Sequence, residues 1–117
     1  MDTKKRRIVI DLDGTICSQE KSGTYQEAKP RIQIIKKING LYAEGHDIII
    51  FTARGMNTCE GDVEKVEVQY RTLTEKWLKE NRVCYNELIF GKPAGDWYVD
   101  DKCMTPEQFY RHHDDSF

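Results

Sequence analysis

The chain lacks most of the features that would place it among specialised protein classes. It has no excess of either charge: eighteen Lys and Arg stand against twenty Asp and Glu, a formal net charge of −2. That balance excludes a protein that coats nucleic acid, whose footprint is a strongly basic domain. Long apolar runs are absent, so no segment reads as a bilayer-crossing helix. The opening MDTKKRR is basic, but Ile8-Val9-Ile10 meets Asp11 at once, too short an apolar stretch for a signal peptide. The four cysteines (Cys17, Cys59, Cys84 and Cys103) form no CxxC and no zinc-ligand spacing. They read as reduced thiols, and the expectation is a soluble cytoplasmic protein with no membrane and no nucleic-acid partner. Internal repeats, low-complexity tracts and linkers are also missing, and 117 residues fit one domain spanning 1–117.

What is present is a rhythm of short apolar bursts and longer amphipathic stretches. Ile8–Leu12, Ile48–Phe51 and Leu88–Phe90 are rich in β-branched and aromatic residues, and Trp97-Tyr98-Val99 is a weaker fourth burst. Each reads as a strand buried on both faces. Between them Pro30 to Glu44 reads as a helix stopped by Gly45, with Ile34, Ile35, Ile38, Leu41 and Tyr42 on one face. A second helix is expected from Val63 to Glu80, with Asp62 as N-cap and a stripe of Val63, Val66, Tyr70, Leu73 and Trp77. The stripe has the spacing of a dimer seam, but a helix laid on a sheet gives the same pattern and is the reading adopted. A short helix from Thr105, with Pro106 early in it, closes the pattern.

Strands alternating with helices predict a three-layer α/β/α sandwich around a mainly parallel, Rossmann-like sheet. Ligands of such sheets sit beyond the carboxyl ends of the strands. The residues there are Asp11-Leu12-Asp13-Gly14-Thr15, Thr52-Ala53-Arg54, Gly91-Lys92-Pro93 and Asp100-Asp101. Gly14 lets the backbone turn so that Asp11 and Asp13 face one mouth. Four converging carboxylates without His or Cys suit a hard cation, Mg²⁺, held by few protein oxygens. With Thr52 as hydrogen-bond donor and Lys92 as a point charge, the pattern suits phosphoryl transfer. One carboxylate would attack phosphorus, and the other would protonate the leaving oxygen and then activate water.

Asp11-Leu12-Asp13-Gly14-Thr15 resembles the first motif of the haloacid dehalogenase superfamily, a group dominated by phosphatases. Phe51-Thr52, Lys92 and Asp100-Asp101 fall in the order of its second, third and fourth motifs. The resemblance implies an aspartyl-phosphate mechanism with Asp11 as nucleophile, Asp13 as general acid and base, and Thr52 and Lys92 on the phosphoryl group. It also implies an Mg²⁺ site drawn from Asp11, Asp13, Asp100 and Asp101. Tyr25–Pro30, Phe51–Met56, Gly91–Pro93 and Tyr98–Lys102 are similar to small phosphatases encoded with bacterial capsule-polysaccharide genes. That narrower likeness implies a small phosphorylated sugar or polyol as substrate.

The stretch from Thr15 to Ala28 has room for a flap but not for an inserted domain, and Thr52 to Lys92 is largely one helix. The protein therefore reads as capless, with Gly14, Thr15, Ala53 and Arg54 as substrate-binding residues. The loop Arg54–Gly61, with Asn57, Thr58 and Glu60, and the flap Ser18–Lys29 are expected to touch the leaving group, Arg54 through its forked guanidinium. A capless site is open, which is compatible with a homo-oligomer whose neighbour covers it.

Other readings fit less well. A calcium loop needs an acid at its fifth position and Gly at its sixth, where this chain has Thr15 and Ile16. A P-loop needs GxxxxGK[ST], which is absent. A polynucleotide phosphatase would show a basic, aromatic-studded groove. A receiver-like signalling domain carries its phosphorylated Asp in mid-chain, where this sequence has Thr52. A silent phosphate- or Mg²⁺-binding module would have lost motif residues that are all present here. His46, His112, His113 and the Lys4–Arg7 run read as ordinary structural or solvated residues.

Overall fold

A computed structural model describes residues 4–20 and 24–113. Three strands, β1 (Arg7–Asp11), β2 (Asp47–Thr52) and β3 (Glu87–Phe90), form one parallel sheet in the order β1-β2-β3. Helix α1 (Ile32–Ala43) joins β1 to β2, α2 (Val63–Glu80) joins β2 to β3, and α3 (Pro106–Arg111) follows β3. The sheet and helices are the α/β arrangement expected from the sequence. In β2, Ile48, Ile49 and Ile50 are all buried, as a central strand covered on both faces must be.

Local chemistry explains the boundaries. The carboxylate of Asp62 accepts the Lys65 N–H and caps α2. Thr105 and Gln108 form a capping box ahead of Pro106 at the start of α3. Helix α1 starts at Ile32 rather than Pro30, because Pro30 is bridged to Cys17. The apolar stripe of α2 lies on its own chain: Val66, Tyr70, Trp77 and Leu78 are buried, and Trp77 Nε1 donates to the Ala28 carbonyl at 2.8 Å. It is a sheet-facing helix and not a free dimer seam.

One expected strand is not formed. Trp97-Tyr98-Val99 has no strand pairing, and Trp97 and Val99 are 88% and 98% exposed. Its residues have the composition of a strand, but Trp97 and Val99 have no cover in this chain and only Tyr98 is engaged, against Lys92. Among the described residues β1 is therefore an edge strand, paired only with β2.

Candidate functional site

The parallel register puts Asp11 opposite Phe51 and Thr52 opposite Phe90, so the strands end along one rim. Beyond β1 the N–H groups of Thr15, Ile16 and Cys17 all donate to the Leu12 carbonyl, winding a tight turn. Gly14 sits in it at φ +88°, which a side chain disfavours. Asp11 and Asp13, two residues apart and so on one side of the chain, both line the same cleft, and the turn ends the strand there. After β3 the Lys92 N–H donates to the Thr52 carbonyl at 3.2 Å, continuing the ladder and holding Lys92 over the rim.

The cleft measures about 560 Å³. Asp11, Asp13, Thr52, Ala53 and Arg54 line it. Gln19, Glu20 and Tyr25 from the flap, Gly55, Asn57 and Thr58 from the loop after β2, and Ala94, Gly95 and Tyr98 after β3 complete its wall. Glu60 is exposed and not among the lining residues. Gly14 and Thr15 act from behind the wall, Gly14 through the turn and Thr15 through its hydroxyl.

Two carboxylates lie in the cleft with different partners. Asp11 Oδ1 accepts from Lys92 Nζ at 3.1 Å, and Oδ2 accepts from the Thr15 hydroxyl at 3.2 Å. Asp13 is gripped by Arg54: Nη2 donates to Oδ1 at 2.7 Å and Nε to Oδ2 at 3.0 Å. The Thr52 hydroxyl oxygen accepts the Arg54 N–H at 3.0 Å, which leaves the hydroxyl proton for an acceptor in the cleft. Cys17 Sγ lies 3.4 Å from Asp13 Oδ1. Its burial, reinforced by the Asp13 carboxylate, pushes the thiol pKa from 9.0 up to about 12, so it stays protonated and unreactive.

Arg54 lines the cleft as expected, with its guanidinium already engaged by neighbouring side chains. Only 2% exposed, its guanidinium is committed to Asp13, to the Thr74 hydroxyl through Nη1 at 3.1 Å, and to the Tyr25 ring 4.3 Å away. It stands in the cleft wall and orients an acid there. Thr74 is a residue that sequence reasoning missed, whereas Tyr25 lies in the flap it named. Thr74 had a legible signal, being the one polar side chain among the buried residues of α2. Tyr98 is a second omission. Its hydroxyl donates to the Pro93 carbonyl at 2.7 Å and accepts the Gly95 N–H at 3.0 Å, while Lys92 Nζ sits 4.1 Å from its ring.

Asp100 and Asp101 do not join the other two carboxylates. Both are exposed on the unpaired segment and absent from the cleft lining. The Lys102 N–H, at 2.9 Å, and the neighbouring Asp101 hold the Asp100 carboxyl below the ordinary range. Among the described residues no group of three or more His, Cys, Asp or Glu is close enough to enclose a metal ion. The cleft itself offers hard oxygen donors from Asp11 and Asp13 and no soft ligand. That donor set fits Mg²⁺, which takes one or two carboxylates and fills its remaining positions with water and substrate oxygens.

The comparisons with known proteins agree with this geometry. A crystal structure of a structural-genomics target from Vibrio cholerae superposes with a TM-score of 0.88 at 31% identity, over 97% of this chain and 93% of that one. A chain from the Pnkp1/Rnl/Hen1 complex shares the fold at a TM-score of 0.58 and 17% identity, over 86% of this chain and 33% of its own length. No curated protein matches the chain. The model of the haloacid dehalogenase-like hydrolases matches residues 8–114. The chain belongs to the haloacid dehalogenase-like hydrolases.

Proposed function

We propose that the protein is a capless, Mg²⁺-dependent phosphatase that hydrolyses a phosphomonoester through an aspartyl-phosphate on Asp11. The observation that carries this reading is the division of labour between the two cleft carboxylates. The Asp11 side chain is 32% exposed and meets Lys92 and Thr15 by one bond each, whereas that of Asp13 is 9% exposed and both its oxygens are fixed by the Arg54 fork. A nucleophile must be accessible and a proton-transfer group must be aimed.

Asp11 Oδ attacks phosphorus in line and the bond to the leaving oxygen breaks. The protonated carboxyl of Asp13 gives its proton to that oxygen. Lys92 and the Thr52 hydroxyl hold the phosphoryl oxygens as charge develops on them. A water molecule, losing its proton to Asp13, then attacks the phosphoryl group, breaks the bond to Asp11 and releases phosphate. Asp11 and Asp13 are the cleft residues that would hold Mg²⁺, with Asp100 and Asp101 as the further acids the family resemblance implies, and the ion's charge would offset the repulsion between carboxylates and phosphate oxygens.

A small sugar or polyol phosphate, such as capsule-polysaccharide synthesis would use, suits the wall of the cleft. Gln19, Asn57 and Thr58 offer amides and a hydroxyl to a polyhydroxylated leaving group. The test is turnover of an aryl phosphate with and without Mg²⁺, followed by a panel of sugar, polyol and nucleotide phosphates. The expected result is turnover that EDTA abolishes and that Asp11→Asn reduces by about 10³-fold or more. Turnover unchanged in Asp11→Asn overturns the assignment.

A further inference from the structure

Two unpartnered features of this chain are complementary. The first is the outer edge of β1, whose backbone N–H and C=O groups have no strand beside them among the described residues. Val9, in the middle of β1, is 58% exposed although strands of parallel sheets are normally covered on both faces. Val9 shares a face with Asp11, two residues further along. The second is the segment Trp97–Asp101, an apolar run without strand pairing that carries two carboxylates at its end.

This segment is held away from its own sheet by contacts at both ends. Tyr98 is tied back to Pro93 and Gly95 and stacked under Lys92. On the far side α3 is docked on α1, where Lys37 Nζ donates to the His112 carbonyl. Between these anchors Trp97 and Val99 turn their side chains to solvent. A free strand edge and an apolar segment with the composition of a strand, both exposed in one chain, are the condition for adding a strand between copies.

We infer that the segment Trp97–Asp101 of one copy adds to the free edge of β1 in a second copy, as a fourth strand. The second copy is favoured over a foreign peptide because both halves of the contact are supplied by this chain, and a reciprocal exchange closes with two-fold symmetry. The exchange covers Val9 and carries Asp100 and Asp101 of the partner subunit toward Asp11 and Asp13. Each active site is then composed from two chains. The part of the inference that concerns the acids rests on the phosphatase reading above, whereas the strand exchange does not.

The test has two arms, both on the full chain. In the first, light scattering measures the mass of the wild type and of Val99→Asp and Trp97→Asp, with and without Mg²⁺. The wild type is expected at twice 13.7 kDa or a higher multiple, and the variants at the monomer mass. Because Val99 and Trp97 contact almost nothing within the chain, an unchanged circular dichroism spectrum certifies the fold. A monomeric wild type, or an oligomer unmoved by either variant, overturns the exchange.

In the second arm, Asp11→Asn is co-expressed with the Asp100→Asn, Asp101→Asn double variant, each inactive alone. Composite sites regain about a quarter of wild-type turnover by statistical mixing, since half the dimers are mixed and one site in each is intact. An active wild type with no recovery in the mixture shows that the acids act within one chain and overturns the composite site. A wild type that is oligomeric but hydrolyses no phosphate defeats the phosphatase reading and leaves the exchange standing.

Discussion

Arg54 and Asp13 form the pair on which the residue-scale account turns. A planar guanidinium fixes both carboxylate oxygens, which an ammonium cannot do. Arg54→Lys should therefore keep the charge and lose the fork. The expected outcome is a kcat lowered by about 10–100-fold with KM changed little, since the acid is misaimed but the cleft wall is intact. Steady-state kinetics check this, and a rise in KM alone would return Arg54 to a substrate contact. Arg54→Ala strands Asp13 without its buried partner and should cost about 3 kcal/mol of stability by denaturant titration. The sequence displayed Arg54 at a strand end but not its partners, because a forked ion pair depends on where α2 places Thr74 and the flap places Tyr25.

Cys17 gives a pH-dependent prediction of known sign. Its thiol ionises at about 12 in the folded protein and near 9.0 in an ordinary environment. Above 9.0 the unfolded chain has lost a proton that the folded chain still holds. The Cys17 contribution is thus intact below pH 9.0 and is lost progressively as pH rises toward 12. Denaturant midpoints between pH 8 and 10.5 should fall less steeply in Cys17→Ala than in the wild type. The same burial predicts that Cys103, exposed, reacts with a thiol reagent at neutral pH while Cys17 does not.

At the scale of elements, strand ends were the most legible feature. Apolar bursts and their terminating residues located β1, β2 and β3, and with them Asp11, Thr52 and Lys92, although only β2 is buried along its length while Val9 of β1 and Ile89 of β3 are exposed. Trp97-Tyr98-Val99 has a similar composition and formed no strand. Composition reports that a segment wants cover, not which chain supplies it. The flap was legible only in length; its role under the site comes from the T-shaped contact of Tyr25 and Tyr70, with centroids 5.5 Å apart. Gly55, next to Arg54, lies at φ +79°, and a Cβ there would stand 2.5 Å from Tyr70 Cδ2. Gly55→Ala should therefore destabilise by about 1–3 kcal/mol and loosen the Arg54 platform. Thermal unfolding measures the first effect and a lowered kcat the second; an unchanged midpoint would show that α2 gives way freely. Arg71 makes a further inter-element tie, donating to Glu67 on α2 and to the Leu88 carbonyl on β3.

For the whole molecule, the order of strands and helices indicated a small α/β domain and the strand-end residues a hydrolase, and the family match covers residues 8–114. The shape carries what sequence patterning could not. The radius of gyration is 14.3 Å, against about 13.4 Å for a compact chain of this length. The excess agrees with a segment projecting from the body, and the predicted gathering of four carboxylates divides there into two pairs. Asp11 and Asp13 line one cleft. Asp100 and Asp101 stand on the projecting segment.

The most direct test of the account is the mass of the enzyme quenched in acid during turnover of a phosphomonoester. The account predicts one added phosphoryl group, labile to hydroxylamine, on the peptide that contains Asp11, and its absence in Asp11→Asn. Full turnover with no phosphorylated enzyme at any quench time, or a label on any other residue, would contradict it.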